Sequence, residues 1–371
     1  MFTKFKLRDY DFKLFVSVLV IMIFGTVMIN SADSSYTYKQ LVGLAMGITV
    51  MLVVSVIDYH FICKFYVMIY AFNVLIMISV LIFGVNVGGA KRWIMVGGSG
   101  GIQFQPSEFS KICMIIFLSA LLAWFKDKGM LNSARCLTMV AVSVGVELLL
   151  IFAEPDLSTT ICVTLILVSI IYVAGLSYKI IGIALLIFVP AAGSFLWYIQ
   201  RPDQKLLKDY QVGRILQFIY PGKYGEDMSQ QNNSIMAIGS GMLSGKGLKS
   251  STIATVKDAN FISEQQTDFI FSVIGEELGF VGSVLVIAII LLIVLQCIRI
   301  ARRAQDTQGM LIATGVACLI GFQSFINIAV ATGVFPNTGI PLPFVSYGLS
   351  SLLSLSVGMG LLLNISLQKT G

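Results

Sequence analysis

Three carboxylate-bearing stretches and one group of cations are the residues of this sequence best placed to do chemistry. Asp268 opens the segment DFIFSVIGEELGF. Read as a helix, that segment puts Asp268, Ser272, Gly275 with Glu276, and Gly279 on one face, by i, i+4, i+7/8 and i+11 spacing. Phe269, Ile270 and Val273 then point elsewhere, so the small polar face suits the lining of an interior. At about 1.5 Å per residue, Glu276 lies roughly 12 Å further along the helix than Asp268. The plainer reading of Asp268 is an N-terminal helix charge favoured by the macrodipole. Glu147 raises the same question inside an apolar run, and a basic side chain on a neighbouring helix is its expected partner. Glu108 and Lys111, three apart, form an i, i+3 pair of modest energy if solvated. With Lys91 and Arg92 they place three cations on one outer loop, an arrangement suited to phosphate or pyrophosphate oxygens, for which arginine is well shaped. Headgroup contact is the alternative. Trp93, next to Arg92 among glycines, suits sugar stacking, lipid contact or interface anchoring equally well.

The elements that must position these residues are membrane helices. The 371 residues are 57% hydrophobic and 12% charged, with a mean hydropathy of +0.88. A soluble domain carries about 25% charged residues. Apolar runs of roughly 17–25 residues read as spans, and about ten are present: 13–29, 40–57, 65–83, 112–125, 137–153, 159–175, 180–198, 279–295, 310–334 and 349–367. The expectation is an all-α polytopic membrane protein, one integral-membrane domain over residues 1–371. A carboxylate at membrane depth costs about 2.5–3.5 kcal/mol on insertion scales, so Asp268, Glu276 and Glu147 are expected to be functional or paired. The first run is full length and lacks a small-residue cleavage site, so no cleavable signal peptide is expected.

Lys4, Lys6, Arg8, Lys13, Lys64, Lys126, Lys128, Arg135, Lys179, Arg299, Arg302, Arg303 and Lys369 collect on one side of a ten-span topology. By the positive-inside rule that side is cytoplasmic, and both termini lie there. The large connector 200–267, between the seventh and eighth spans, is then extracytoplasmic, as are 85–111, the Glu154-Pro155-Asp156-Leu157 hairpin and 335–347. The net charge of +6 is mostly this topology signal, and no basic patch with interleaved aromatics points to nucleic acid. Trp124 and Trp197, at segment ends, read as interface anchors. None of the six cysteines falls in an outside loop, so no structural disulfide is expected. The one histidine, His60, is cytoplasmic, which removes an outside catalytic histidine or histidine-ligated metal, and the spacings give no metal motif. IGSGMLSGKG fails the P-loop spacing, with Ser240 five before Gly245 and Gly247 where Ser or Thr is required. Its glycines can cradle an anion or permit tight turns.

GAKRWI, FQPSE, EPDL, YQ-x-x-RI, AIGSG with GKG, TDFIFSVIGEELG and TGIPLPFVSYG, in that order from Gly89 to Gly348, resemble the SEDS family (shape, elongation, division, sporulation). This is the RodA/FtsW/SpoVE group of bacterial cell-wall polymerases, and the likeness is greatest to the RodA type. The resemblance implies a ten-helix fold in the bacterial cytoplasmic membrane. It also implies polymerisation of lipid II into glycan strands at the outer face, alongside a class B penicillin-binding protein and other elongation or division proteins. Asp268 matches the family's proposed catalytic carboxylate. Three positions depart from the pattern: Gln266 stands where a histidine precedes Thr-Asp, Ser158 follows EPDL in place of glycine, and Leu349 replaces the second glycine after Ser-Tyr.

Pyrophosphate is a good leaving group, so the implied reaction needs no strong general acid. One carboxylate, Asp268, can take the proton of the acceptor 4-hydroxyl as it attacks, inverting the anomeric centre, and such help is worth about 10²–10⁴-fold. Arg92 and Lys111 become leaving-group or donor contacts, Glu108 orients Lys111, and Lys91 and Trp93 complete the substrate-binding set. Glu276 and Ser346 are secondary candidates. No cofactor is required; a divalent ion (Mg2+ or Mn2+) bridging carboxylate and pyrophosphate is compatible, without a legible ligand set. The GIPLPFVSYG form and the short N-terminal segment favour an elongation role over a division or sporulation paralogue. A lipid II transporter, suited by Glu147 and Glu276, and a non-catalytic scaffold are the readings from other classes.

Overall fold

Each long apolar run forms a helix, and polar residues at its edge supply the start. In order these are α1 (Phe12–Ala32), α2 (Thr37–Val56), α3 (Tyr59–Cys63), α4 (Tyr66–Phe83), α5 (Pro106–Asp127) and α6 (Ala134–Ala153). They continue as α7 (Leu157–Ala174), α8 (Tyr178–Tyr198), α9 (Ser229–Ser240), α10 (Ile270–Arg302), α11 (Thr307–Ala331) and α12 (Leu349–Leu367). Side chains of Asp11, Ser133, Asp156 and Asp306 accept from first-turn amides of α1, α6, α7 and α11, satisfying donors that a helix start leaves open. Proline begins α5, where its missing N–H costs nothing. The computed structural model describes residues 10–368 apart from 88–89, 97–101, 155, 202–203, 205–211, 214–215, 217–219, 221–228, 250–263 and 338.

Among the described residues nine helices (α1, α2, α4, α5, α6, α7, α10, α11 and α12) are long and apolar enough to cross a membrane. The remaining expected span, 180–198, is helical as well, in α8, with Pro190 inside it. The centre is built from α5, α11 and α12, which are mostly buried; α2 packs along α12, and α7 lies against α11. Phe72 and Leu75 of α4 and Val142 and Leu149 of α6 are exposed at 62%, 64%, 65% and 69%, an apolar outer face that fits lipid.

Two features add to the expected all-helical picture. Residues 85–104 hold a small antiparallel sheet, β1 (Val85–Val87), β2 (Ala90–Val96) and β3 (Ile102–Phe104), in that order. Val85 faces Trp93 and Asn86 faces Lys91 across the first pair, and Ile94 faces Phe104 across the second. Because the helices alternate in direction, this sheet shares one end of the bundle with 154–156, the chain around 264–269 and the 332–348 connector. We call it the sheet end. The fourth span accordingly starts at Pro106 rather than near residue 112, which draws Glu108 and Lys111 into the helix.

The second feature is a break in α10. Gly279 has φ 65° and ψ −160°, outside helical geometry and accessible to glycine. The helical bonds lost there are replaced by the preceding loop. Lys246 N and Gly247 N donate to the carbonyls of Glu276 and Glu277, while Phe280 N and Val281 N donate to those of Met242 and Leu243. Contact is so close that a Cβ on Gly241 would lie 1.9 Å from the Gly275 carbonyl oxygen. The glycines of IGSGMLSGKG do form turns, Gly245 at φ 78° and Gly247 at φ 95°, and they also allow this close approach. They let one strand of backbone fill a gap in a helix.

Candidate active site

Asp268 sits just before α10, half-buried, and its segment is held through the main chain. Asn327 Nδ2 on α11 donates to Asp268 O at 2.8 Å, Ser346 Oγ to Thr267 O at 2.6 Å, and Tyr347 N to Gln266 O at 2.9 Å. On the other flank Gln265 Nε2 donates to Ala32 O of α1 at 3.1 Å. Irregular backbone buried in a membrane bundle must find its hydrogen bonds inside the protein. The TGIPLPFVSYG connector and α11 supply them. Gly339, at φ 71°, comes so near that a Cβ there would lie 3.2 Å from Asp268 Oδ2. Ser346 is thus a pin: it also accepts from Leu342 N at 2.7 Å, and its hydroxyl is committed to backbone.

The expected polar face of the helix after Asp268 is modified. Ser272, Gly275, Glu276 and Gly279 are buried, but so are Phe269, Ile270, Phe271, Val273 and Ile274. This half-helix is buried in the interior on its apolar side as well as its polar one. Its polar groups are matched individually. Ser272 Oγ shares a hydrogen bond with Ser234 Oγ of α9, and Glu276 forms a 2.7 Å ion pair with Lys246 Nζ. Glu277 accepts from Ser31 Oγ of α1 at 2.6 Å.

The three expected loop cations occupy three different environments. Lys91 is exposed on β2. Arg92 Nη1 lies 3.3 Å from Asp156 Oδ2, and Asp156 is also the cap that accepts from Thr159 N at 3.0 Å. Arg92 Nε is buried without a hydrogen-bond partner among the described residues, so there this guanidinium has a donor to spare beside its counter-ion. Lys111, only 3% exposed, gives one N–H to Glu108 Oε1 at 2.7 Å and another to Gln323 Oε1 of α11 at 2.9 Å. The expected i, i+3 pair of Glu108 and Lys111 forms, but its place on a shared loop is corrected: both residues are buried in the first turns of α5. Trp93 is partly buried on β2.

Gln323 closes a chain of contacts, since its Nε2 donates to Pro341 O at 3.0 Å and Asn327 Nδ2 also donates to Ile340 O at 2.7 Å. Asp156, Gln323 and Asn327 were not among the site residues expected from sequence. Gln323 and Asn327 carried a usable signal, being large amides four apart in an apolar span. Asp156 carried one too, as an acid between two spans.

Glu147 also corrects an expectation. Its partners are neutral: Asn73 Nδ2 of α4 at 2.8 Å and Ser110 Oγ of α5. Glu154, beside the Arg92–Asp156 pair, is fully buried, and among the described residues neither of its oxygens is hydrogen-bonded. Burial, then the charges of Asp156 and Glu147, push its carboxyl up to about 9, against the pull of Arg92, so it is neutral at pH 7. Of the departures from the family pattern, Gln266 is buried and bonded through its carbonyl to Tyr347, and Ser158 is buried in α7. Leu349 lies where a Cβ on Gly43 of α2 would come within 2.5 Å of its Cδ2, so its position concerns helix packing. Pro155, Tyr210, Gln211, Arg214 and Ser263 lie outside the described residues.

A helical membrane bundle with a carboxylate on a pinned backbone and paired cations gathered at one end is a site suited to acid–base chemistry on an anionic substrate. The sequence matches the cell cycle protein family that groups FtsW, RodA and SpoVE over residues 9–371, and the chain belongs to that family. It is 33% identical to the probable peptidoglycan glycosyltransferase FtsW of Trichlorobacter lovleyi, over 98% of this chain and 94% of that one. It is 32% identical to the peptidoglycan glycosyltransferase MrdB of Escherichia coli K12, over 94% of this chain and 91% of that one. Its fold is similar to a solved chain described under structural coordination of polymerization and crosslinking by a peptidoglycan synthase complex. That pair has a TM-score of 0.78 at 26% identity, covering 96% of this chain and 97% of the other.

Proposed function

We propose that this chain, a peptidoglycan glycosyltransferase of the FtsW/RodA/SpoVE family, polymerises lipid II by inverting transfer with Asp268 as general base. The observation that carries the reading is the pinning of residues 266–268 through their carbonyls, which places a carboxylate at the sheet end by its backbone. The acceptor 4-hydroxyl loses its proton to Asp268 while its oxygen attacks the anomeric carbon, and the bond to the lipid pyrophosphate breaks. Arg92, with donor capacity beside Asp156, and Lys111, with its third N–H, meet charge developing on the leaving pyrophosphate. Trp93 and Lys91 on β2 contact the glycan or headgroup. Among the described residues no group of three or more His, Cys, Asp or Glu suits a metal ion. If a divalent ion takes part, Asp268 would be the residue to hold it, and the ion would supply positive charge for the leaving pyrophosphate.

The distribution of cations supports a place in the bacterial cytoplasmic membrane with the sheet end outward and both termini inward. The single domain then spans residues 1–371, with 200–267 outside. A class B penicillin-binding protein is the proposed partner, supported by the synthase complex to which the similar solved chain belongs. The GIPLPFVSYG form supports service in cell elongation. The transporter reading loses ground because Glu147 and Glu276 are both engaged within the bundle. The test is a reconstituted assay with labelled lipid II, with and without the partner. Glycan product from wild type and none from Asp268→Ala, which still folds and binds lipid II, is expected; wild-type rates from the variant, or flipped lipid without product, would sink the proposal.

A further inference from the structure

Two amides on α11 tie the candidate base to the buried lysine, and neither has an assigned task. Gln323 is fully buried and Asn327 is 1% exposed. They are one helical turn apart, roughly 6 Å along the axis. Asn327 Nδ2 donates to Asp268 O and Ile340 O; Gln323 donates to Pro341 O and accepts from Lys111 Nζ. Both segments they hold, 266–268 and 339–341, are irregular backbone whose carbonyls have no ladder to satisfy them. An unmet carbonyl is costly in an apolar interior, so these segments sit where the amides hold them. Because α11 is a regular helix, the spacing between the two amides is fixed.

We infer that Asn327 is a positioning residue for Asp268, with Gln323 extending the same frame to Lys111. It acts on the main-chain carbonyl of Asp268 and on the 339–341 loop, and it touches neither substrate nor a reacting atom. The inference rests on the reading of Asp268 as base. In Asn327→Leu the side chain keeps its bulk and loses both donors, so the segment carrying the carboxylate is free to shift. A displacement on the order of 1 Å costs about 100-fold in rate. The lipid II site itself keeps Arg92 and Trp93.

The experiment measures polymerisation of lipid II by purified, reconstituted full-length protein, alongside thermal melting. Asn327→Leu should lower kcat by about 100-fold while KM for lipid II stays within about threefold. Asn327→Ser, with one shorter donor, should fall between it and wild type and covers the case in which the leucine variant does not fold. Asn73→Leu is the control: it removes an equally buried amide, from Glu147, and should lower the melting temperature while kcat per folded molecule stays near wild type. A kcat for Asn327→Leu within about threefold of wild type, or a loss carried by KM, overturns the inference. So does a kcat loss matched by Asn73→Leu at equal loss of melting temperature. Full activity in Asp268→Asn overturns the base assignment, and the inference with it; inactivity there combined with full activity in Asn327→Leu overturns the inference alone.

Discussion

Glu147 and Asp268 are both acids set among apolar helices, and the donors around them are used differently. At Glu147 one carboxylate oxygen takes the Asn73 amide and the other the Ser110 hydroxyl, so the side chain joins α4, α5 and α6. At Asp268 the donors of Asn327, Ser346 and Tyr347 go to the carbonyls of residues 268, 267 and 266. None of these three bonds uses a carboxylate oxygen. In the first case the acid is a fastening between helices. In the second these donors fasten the backbone that carries the acid.

The sharpest way to break this comparison is to neutralise the carried acid. Asp268→Asn should cut polymerisation by about 10²–10⁴-fold with a melting curve close to wild type, whereas a large melting loss would make Asp268 another fastening. Lys111→Met comes next, because it strands Glu108, only 3% exposed, without its cation. Breaking a buried pair from one side costs about 3–5 kcal/mol, and the double variant Lys111→Met/Glu108→Gln should recover part of the melting loss. Glu147→Ala leaves the Asn73 amide and Ser110 hydroxyl unmet and should cost about 1–3 kcal/mol, with the rate per folded molecule retained. Lost activity at full stability would place Glu147 with Asp268 instead.

A pH-dependent test concerns Glu154, whose carboxylate oxygens have no hydrogen-bond partner among the described residues. Its folded pKa is raised from 4.5 to about 9, so the folded protein keeps a proton that the unfolded chain releases. Stability therefore falls as pH rises through that interval. Glu154→Gln should remove this slope, so that the variant gains on wild type in melting temperature from pH 5 towards pH 9. Parallel curves would show Glu154 to be charged in the fold.

The spans were legible because each leaves a local mark, a long apolar run. What local pattern cannot carry is which distant group answers a polar side chain. Glu147 was expected to meet a cation and met an amide and a hydroxyl, since the bundle brings α4 and α5 to it and neither offers a basic residue there. The sheet went unread because β1 and β3 are three residues long, too short for an alternation to register. Glu108 and Lys111 were misplaced by six residues of helix, because PSEFSK is polar enough to resemble a loop when burial is unknown. The split of α10 at Gly279 left only a glycine as its trace, among many others.

That split has a consequence for how the chain enters the membrane. Unbroken, α10 would be roughly 50 Å long, well beyond the hydrocarbon thickness of about 30 Å. From Phe280 to Arg302 it is roughly 35 Å, enough to be released into lipid by itself during synthesis. The turns before Gly279, with Asp268 at their head, have no bilayer-spanning length of their own. They are completed by the backbone of residues 242–247, which emerges earlier from the ribosome. The half-helix that carries Asp268 is therefore completed only when a segment already made folds back onto it.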